Sequence, residues 1–194
     1  MSIAPINTVL RFVLLAVAIT VADPAKADGE FAQLDVSVES ATALASAVRG
    51  RLDFGAVLSA GDDGYAFGPR TRYAFDLGVG VFLRAGPSLS FLHDHGDDDV
   101  EIGAVVSIDR WIATSFGSLY WLVEANTIDN AAFGAVQAGF EHGYGLEVSH
   151  GGSDRYLDTS VALTKRLSKS DFGLRAGYHL LSEKVFLGIT YNSF

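Results

Sequence analysis

From residue 31 onward, apolar and polar residues alternate within successive short segments of the sequence. The even-numbered residues of 100–108 are Val, Ile, Ala, Val and Ile, whereas the odd-numbered residues of 99–109 include three acidic ones. Every odd-numbered residue of 73–83 is aromatic or aliphatic. Because successive side chains of a β-strand point to opposite faces, this period of two predicts strands with one apolar face.

Such strands build either a soluble sandwich with inward apolar faces or a transmembrane barrel with outward ones. The segments reach the roughly 9–11 residues that a tilted membrane-spanning strand needs. Their polar faces mix glycine with charges of both signs, which is typical of a narrow lumen. Hydrophobic residues make up 49% of the chain, yet after residue 27 no apolar run approaches the roughly 20 residues of a helical span. The sequence therefore predicts an all-β, antiparallel, up-and-down transmembrane barrel, with the soluble sandwich as the alternative.

About ten strands are predicted, with eight to twelve left open. An eleventh segment, Ala32–Ser40, also alternates, and an odd count is unusual in bacterial barrels. Either two segments fuse, or a further strand lies within 42–48. The ten segments are 50–60, 70–83, 86–93, 99–110, 117–126, 131–141, 143–150, 155–165, 171–181 and 184–193.

The first 27 residues have the pattern of a secretory signal peptide. Phe12–Ala22 is an apolar stretch of 11 residues, preceded by Arg11 and followed by Ala25-Lys26-Ala27. An apolar run of this length, ending before small residues at −3 and −1, predicts cleavage rather than a membrane span. We therefore expect a signal peptide at 1–27, a barrel at 28–194, and export through the periplasm to the outer membrane.

The chain ends in an aromatic residue, Phe194, after a last alternating strand that includes Ile189 and Tyr191. This ending resembles the C-terminal assembly signal of small bacterial outer-membrane β-barrel proteins. The resemblance implies recognition by the barrel-assembly machinery. Phe194 follows Tyr191 by three residues and so departs from the apolar parity, which a bulge at 192–193 would restore.

Net charge and the absence of cysteine exclude several classes of partner and modification. The net charge is −9 and no basic cluster is present, which excludes nucleic-acid binding. The absence of cysteine excludes disulfides, thiolate zinc sites and a lipoprotein anchor. If the last strand ends on the periplasmic side, the acidic connections face outward, toward outer-membrane lipid and lipopolysaccharide. The predicted outer connections are 61–69, 94–98, 127–130, 151–154 and 181–183, and the inner ones are 83–86, 113–116, 141–143 and 166–170.

One acidic connection is a candidate metal site. Oxygen-rich loops bind hard cations, and imidazole extends the range to zinc. The spacing matches no calcium-loop pattern, so a solvated acidic loop is the favoured interpretation. An intermediate interpretation is that cations bridge this loop to lipopolysaccharide phosphates. No other cofactor is expected. The candidate ligands are His93, His95, Asp97, Asp98 and Asp99.

A second candidate site lies where the segment 144–150 ends in a histidine on the face predicted to meet lipid. This segment, together with Ser153, resembles the outer-membrane lipid A deacylase family, in which a Ser–His pair cleaves an acyl ester. The resemblance implies His150 as base, Ser153 as nucleophile and Asp158 as the acid that orients the imidazole. Two positions depart from the family pattern. The family's serine position is occupied by Gly152 in this chain, and the alternation places Asp158 on the face of its strand that points into the lumen.

The polar faces of the predicted strands define a charged lumen. Unpaired buried charges are unfavourable, so these residues form either a salt-bridged plug or the lining of a small aqueous path. The leading functional hypothesis is a structural or surface-exposed barrel without catalysis. The alternatives are a lipid A acyl hydrolase that uses His150 and a narrow pore for small solutes. The predicted lumen residues are Arg51, Asp53, Arg72, Asp76, Arg84, Glu101, Glu124, Glu141, Glu147, Arg166, Arg175 and His179.

Overall fold

A computed structural model describes residues 29–62 and 64–194 of the chain. The predicted signal peptide therefore lies outside the described residues. The described part contains twelve strands and two single-turn 3₁₀ helices, Ile128–Asn130 and Glu141–Gly143. The strands are β1 (Gly29–Val36), β2 (Ser40–Arg49), β3 (Leu52–Gly61), β4 (Gly64–Asp76), β5 (Val81–Asp94), β6 (Asp97–Thr114), β7 (Gly117–Asn126), β8 (Ala132–Phe140), β9 (Tyr144–Gly152), β10 (Leu157–Arg166), β11 (Phe172–His179) and β12 (Lys184–Asn192).

Each strand pairs with the next in antiparallel register, and β1 pairs with β12 to close the sheet into a barrel. This confirms the predicted all-β, up-and-down barrel. The estimate of about ten strands was low by two, within the range left open. Closure gives every strand a partner on both sides, which satisfies most backbone hydrogen-bonding groups of the wall without help from solvent. The outer part of β6, residues 97–104, pairs with β5 alone and extends beyond the end of β7.

The two additional strands lie at the start of the barrel. The segment predicted at 32–40 forms β1, and the further strand considered within 42–48 is β2. The outward positions of β2 are alanines at 41, 43, 45 and 47, while Leu44 and Val48 lie on the inner face. Because the two faces hardly differ in polarity, the alternation in β2 is weak.

The turn between β4 and β5 is the main boundary error. The sequence predicted it at 83–86, but these residues lie within β5, and the chain reverses at 77–80. Gly78 and Gly80 have φ angles of 87° and 75° there, values that glycine adopts readily. Leu77, Val79 and Val81 continue the apolar alternation through the turn, so the pattern did not show it. Similarly, β4 begins at Gly64, within the predicted outer connection 61–69.

We call the end of the barrel that carries the C-terminus the inner end, and the opposite end the outer end. The fully described connections at the outer end are 37–39, 95–96, 127–131, 153–156 and 180–183, and the longest of them has five residues. Among the described residues, no helix has the length and apolar character needed to cross a membrane.

The outer surface of the barrel is apolar and its inner face is polar. Outward side chains such as Ile102, Leu163 and Leu187 have 82%, 65% and 65% of their surface exposed. Inward side chains such as Arg72 and Ser107 have 6% and 2% exposed. This inversion of the usual soluble arrangement is what the alternation predicts for a transmembrane barrel, not for a sandwich.

The C-terminal residues close the seam between the first and last strands. The Ser193 amide donates to the Glu30 carbonyl, and the Glu30 amide donates to Ser193 Oγ. Phe194 lies two residues after the inward-facing Asn192, and its ring covers Gly29. Phe194 thus stays off the outward apolar face, as its spacing from Tyr191 indicated, and recognition by the assembly machinery stays a prediction.

Candidate functional site in the barrel interior

One wall of the interior carries a network of three arginines and three carboxylates, which we call the Arg72 cluster. Arg72 donates to Asp53 at 3.0 Å and also pairs with Glu124, which Arg70 contacts as well. Arg84 pairs with Asp109 at 2.9 Å. The Arg72 cluster consists of Asp53, Arg70, Arg72, Arg84, Asp109 and Glu124, contributed by β3, β4, β5, β6 and β7.

Strand register explains why these residues meet. Asp53 lies directly opposite Arg72 in the β3–β4 ladder. Ser107 connects Arg84 to Glu124, because it lies opposite both of them in the ladders on its two sides. Asp53 and Arg72 are only 5% and 6% exposed, so their charges require partners. The alternation in these five strands therefore places a balanced set of charges on one wall.

The opposite wall carries a second group, the Arg175 cluster, formed by Asp35, Glu147 and Arg175. Arg175 donates from Nε to Asp35 at 3.1 Å and from Nη2 to Glu147 at 2.8 Å. Its guanidinium carbon lies 5.3 Å from the ring centroid of Phe186. Phe186 is 2% exposed and also packs against His179, so an apolar side chain supports the guanidinium from within the lumen.

The two clusters face each other across the barrel. The Arg72 cluster is centred on β5 and the Arg175 cluster on β11, and these strands are six apart in the closed order of twelve. Among the described residues, no hydrogen bond or ion pair joins the two clusters. Side chains just fill the interior of an eight-stranded barrel, and barrel diameter grows with strand number. A twelve-stranded barrel therefore has a wider interior.

Small side chains occupy most of the remaining inward positions. Glycine, serine and alanine alternate with the outward apolar residues on the strands that flank the clusters. These inward residues include Gly55, Gly68, Gly86, Ser88, Ala135, Gly145, Ser149, Ser160, Ala162, Gly173 and Gly188.

Most predicted lumen residues do face the interior. Three members of the clusters were missed: Asp35, Arg70 and Asp109. Asp35 lies on the eleventh segment, 32–40, which was not assigned to the predicted barrel. Arg70 is at the end of the predicted strand 70–83, and Asp109 lies on the polar face of 99–109 but was not among the predicted lumen residues. Several predicted members lie at the ends instead, with Arg51 in the turn after β2, Glu141 in a 3₁₀ helix, and Asp76, Glu101 and Arg166 near strand ends.

Two connections fold over the outer mouth. Arg155, between β9 and β10, donates to Asp129, between β7 and β8, at 2.8 Å and reaches Glu101 of β6 at 3.2 Å. Ile128 is 8% exposed, and its Cγ1 would lie 2.6 Å from a Cβ on the inward-facing Gly103. One arginine thus ties two connections to the rim of β6.

Tyr156 lies in the same connection as Arg155. The side chain keeps 58% of its surface exposed. Even so, desolvation by the surrounding protein, and then the charge of Glu124, raise the pKa of the Tyr156 hydroxyl above its usual value. A Cβ on the inward-facing Gly151 would lie 3.7 Å from the Tyr156 hydroxyl oxygen, so this side chain lies at the outer mouth of the barrel.

At the inner end, a cavity of about 530 Å³ lies between the 3₁₀ helix 141–143 and the turn 167–171. Arg166 borders this cavity and pairs with Asp171. The inner mouth therefore contains charges of both signs.

The candidate metal ligands form pairs and not a coordination group. His93 Nδ1 lies 2.7 Å from Asp98 Oδ1, and His95 Nδ1 lies 2.7 Å from Asp94 Oδ1. Asp97 and Asp99 lie at the start of β6. In the part of the chain that the structure describes, no three His, Asp or Glu side chains are arranged to hold a metal ion. Divalent-cation binding by this connection stays a prediction.

The three candidate catalytic residues lie in different environments. His150 is on the outer surface of β9, and its Nδ1 lies 2.8 Å from Thr159 Oγ1. Ser153 Oγ accepts from the Arg155 amide. Asp158 faces the interior, accepts from Ser182 Oγ, and lies 2.9 Å from His179 Nδ1. Within 29–62 and 64–194, no hydrogen bond or ion pair joins any two of the three candidates, so the hydrolase remains a sequence-based hypothesis.

Comparison with known proteins adds information on the fold. No protein-family model matches the sequence, and no curated protein matches it significantly. The barrel is similar to that of KdgM porin. The match has a TM-score of 0.57 at 12% sequence identity and covers 86% of this chain and 99% of the porin chain. A structure of KdgM porin in complex with disordered oligogalacturonate matches with a TM-score of 0.56 at the same identity and coverage.

This similarity supports the fold class directly. The alignment covers almost the whole length of the porin chain, so the similarity extends over the complete barrel. At 12% identity the similarity concerns the fold alone, so the function must be argued from the interior of this chain.

Proposed function

We propose that this chain is a narrow channel of the bacterial outer membrane that conducts small solutes between two charged walls. The observation that carries the proposal is the placement of the Arg72 and Arg175 clusters on opposite sides of a twelve-stranded barrel. A plug would join the two walls by ion pairs, whereas each of these clusters is paired within itself.

The outer surface supports a position in a membrane. Its apolar band is bordered at both ends by aromatic pairs, as the interfaces of membrane barrels are. Tyr73 lies near the inner end because the β4–β5 turn is at 77–80. The pairs are Phe67–Phe91 near the outer end, and Tyr73–Phe75, Phe116–Phe140 and Phe172–Tyr191 near the inner end.

The clusters would act as the constriction of the channel. Arginine and carboxylate side chains of the two clusters, with neighbouring rings such as that of Phe186, would narrow the path between the two walls. Because each cluster is paired internally, its side chains are held against the wall and do not extend across the lumen. A solute would therefore pass between two fixed polar surfaces.

The fold similarity is consistent with this function, since the similar solved structures are of a porin. The oligogalacturonate in one of them is a ligand of that protein. The leading hypothesis from the sequence is a barrel with a structural role, which predicts that solutes do not pass. A permeability measurement therefore distinguishes it from the channel.

Swelling of liposomes that contain the purified, folded protein tests the proposal. We expect uncharged solutes of the size of a monosaccharide to enter, and larger oligosaccharides to enter much more slowly, because the two clusters limit the width. Liposomes without protein are the control. If folded barrels admit neither class of solute, the channel is wrong and the structural role is supported.

A further inference from the structure

We infer that the channel selects for cations, so that its preferred solutes are small cationic or zwitterionic molecules and anionic solutes are disfavoured. This inference rests on the proposed channel and adds its charge preference. Three observations carry it: the sign of the charges around the outer mouth, the way the basic residues there are engaged, and two incompletely bonded carboxylates inside the lumen.

The outer mouth is strongly acidic. Among the described residues of the outer connections and adjoining strand ends, acidic side chains far outnumber the basic ones, which are Arg155 and Lys184. The acidic residues are Glu39, Asp62, Asp94, Asp97, Asp98, Asp99, Glu101, Asp129, Asp154, Asp158 and Glu183.

Both basic residues of the mouth are engaged by acidic partners. Lys184 pairs with Glu39 at 2.6 Å, and Arg155 pairs with Asp129 and Glu101. Neither is therefore available as an isolated positive charge for an incoming anion. His93 and His95 likewise face aspartates, at 2.7 Å in each case.

The lumen repeats this preference on a smaller scale. Its two clusters contain the four arginines 70, 72, 84 and 175 and the five carboxylates 35, 53, 109, 124 and 147, which leaves one negative charge in excess. Asp53, which is 5% exposed, uses Oδ2 for Arg72 and Arg84, and its buried Oδ1 has no hydrogen-bond partner. Asp35 Oδ1 is also without a partner.

The Nε atoms of Arg70 and Arg72 also lack a hydrogen-bond partner, which taken alone would favour anions. Both guanidinium groups, however, are ion-paired with Glu124. The Arg72 cluster as a whole contains three arginines and three carboxylates, and the two clusters together contain one carboxylate more than arginines.

These charges act through the concentration of ions at the entrance. A mouth lined by one sign of charge attracts counter-ions and repels ions of its own sign, and rings of acidic side chains are the usual device of cation channels. The effect extends over about 8 Å at physiological ionic strength and is weaker at high salt. A cation passing the mouth then meets walls that do not repel it.

The reversal potential of the channel in a planar bilayer tests the inference, with KCl at different concentrations on the two sides. We expect its sign to show K⁺ preferred over Cl⁻ by about threefold or more in dilute salt, and the preference to fall in concentrated salt because the mouth is screened. A channel that conducts and prefers Cl⁻ overturns the inference but keeps the proposed function. A folded barrel without conductance overturns both.

Two triple variants locate the source of the preference. Asp62→Asn, Asp97→Asn and Glu183→Gln neutralise exposed acids at the outer mouth and should bring the permeability ratio close to one. Asp76→Asn, Glu141→Gln and Asp171→Asn remove the same charge from exposed positions at the inner end and should change the ratio much less. An equal change in both variants would overturn the assignment to the outer mouth.

Discussion

Arg175 and Asp35 are 140 residues apart in the sequence and are joined inside the barrel by a hydrogen bond of 3.1 Å between Nε and Oδ2. They lie on β11 and β1, with β12 between them. Their contact therefore exists only when β1 has paired with β12 and the barrel is closed. The same guanidinium holds Glu147 from β9, so one side chain connects two sectors of the wall.

Replacing Arg175 tests the importance of this connection. Arg175→Ala leaves Asp35 and Glu147 as like charges without their partner, and we expect it to destabilise the folded barrel by about 3–5 kcal/mol. The triple variant Arg175→Gln, Asp35→Asn and Glu147→Gln should recover most of the loss. Urea unfolding in detergent or lipid measures both, and equal stability of Arg175→Ala and the native protein would contradict the role of the cluster.

Gly86 and Gly68 provide a matched pair of glycines with inward positions on neighbouring strands. A Cβ on Gly86 would lie 2.0 Å from the Thr71 carbonyl oxygen, whereas the nearest atom to a Cβ on Gly68 is 3.6 Å away. Because a backbone atom cannot move aside, we expect Gly86→Ala to destabilise the barrel by roughly 1–3 kcal/mol. Gly68→Ala should have little effect. The shift of mobility between heated and unheated samples on a detergent gel reports the folded fraction of each variant.

The Arg155 contacts at the outer mouth predict a change in conduction. Arg155→Ala removes the links to Asp129 and Glu101, so the two connections should move away from the rim more often. We expect larger and noisier single-channel currents than in the native protein. Lys169→Ala, which removes an exposed cation from an inner turn, is the control. Unchanged currents in Arg155→Ala would show that the connections do not restrict the mouth.

The Glu39–Lys184 pair predicts a dependence of stability on pH. The hydrogen bond and charge of Lys184 lower the pKa of Glu39 below its usual value. A carboxylate whose pKa is lowered on folding stabilises the fold above its unfolded pKa, and this contribution is lost as the pH falls through the lower folded value. Because the pair is exposed, the effect is small. Lys184→Gln should reduce the fall in melting temperature between about pH 5 and pH 3, and an identical fall in both proteins would contradict this.

The hydrolase hypothesis has a separate test. His150 contacts Thr159, and Asp158 is held on the opposite face of the sheet, so the channel account predicts no acyl-ester cleavage. The lipid A mass profile of cells with the native protein should match that of cells without it. Loss of one acyl chain with the native protein, but not with His150→Ala, would instead support the hydrolase and make Ser153 the next residue to test.

The sequence predicted the fold class well because strand alternation reports directly which residues face the two sides of a sheet. It failed where the contrast between the sides is lost, as in the alanine-rich β2, and where a turn keeps the alternation, as at 77–80. The turn is marked by positive φ angles at Gly78, Val79 and Gly80, and Val79 is a residue type that rarely adopts such an angle.

The pairing inside the lumen was beyond sequence reasoning for a different reason. Parity indicates that Arg175 and Glu147 point inward, but not which charges they meet. The contact with Asp35 depends on the register of β1 against β12 and on closure of the barrel. A residue such as Asp35, on a strand left unassigned, therefore could not be recognised as a partner.

The most direct test of the channel is single-channel recording of the purified barrel in a planar bilayer, with its fold confirmed in the same preparation. The account predicts discrete, small conductance steps whose size changes when Arg175 or Arg72 is replaced, because both line the constriction. An electrically silent bilayer that contains folded barrels would contradict it and leave a structural role for this chain.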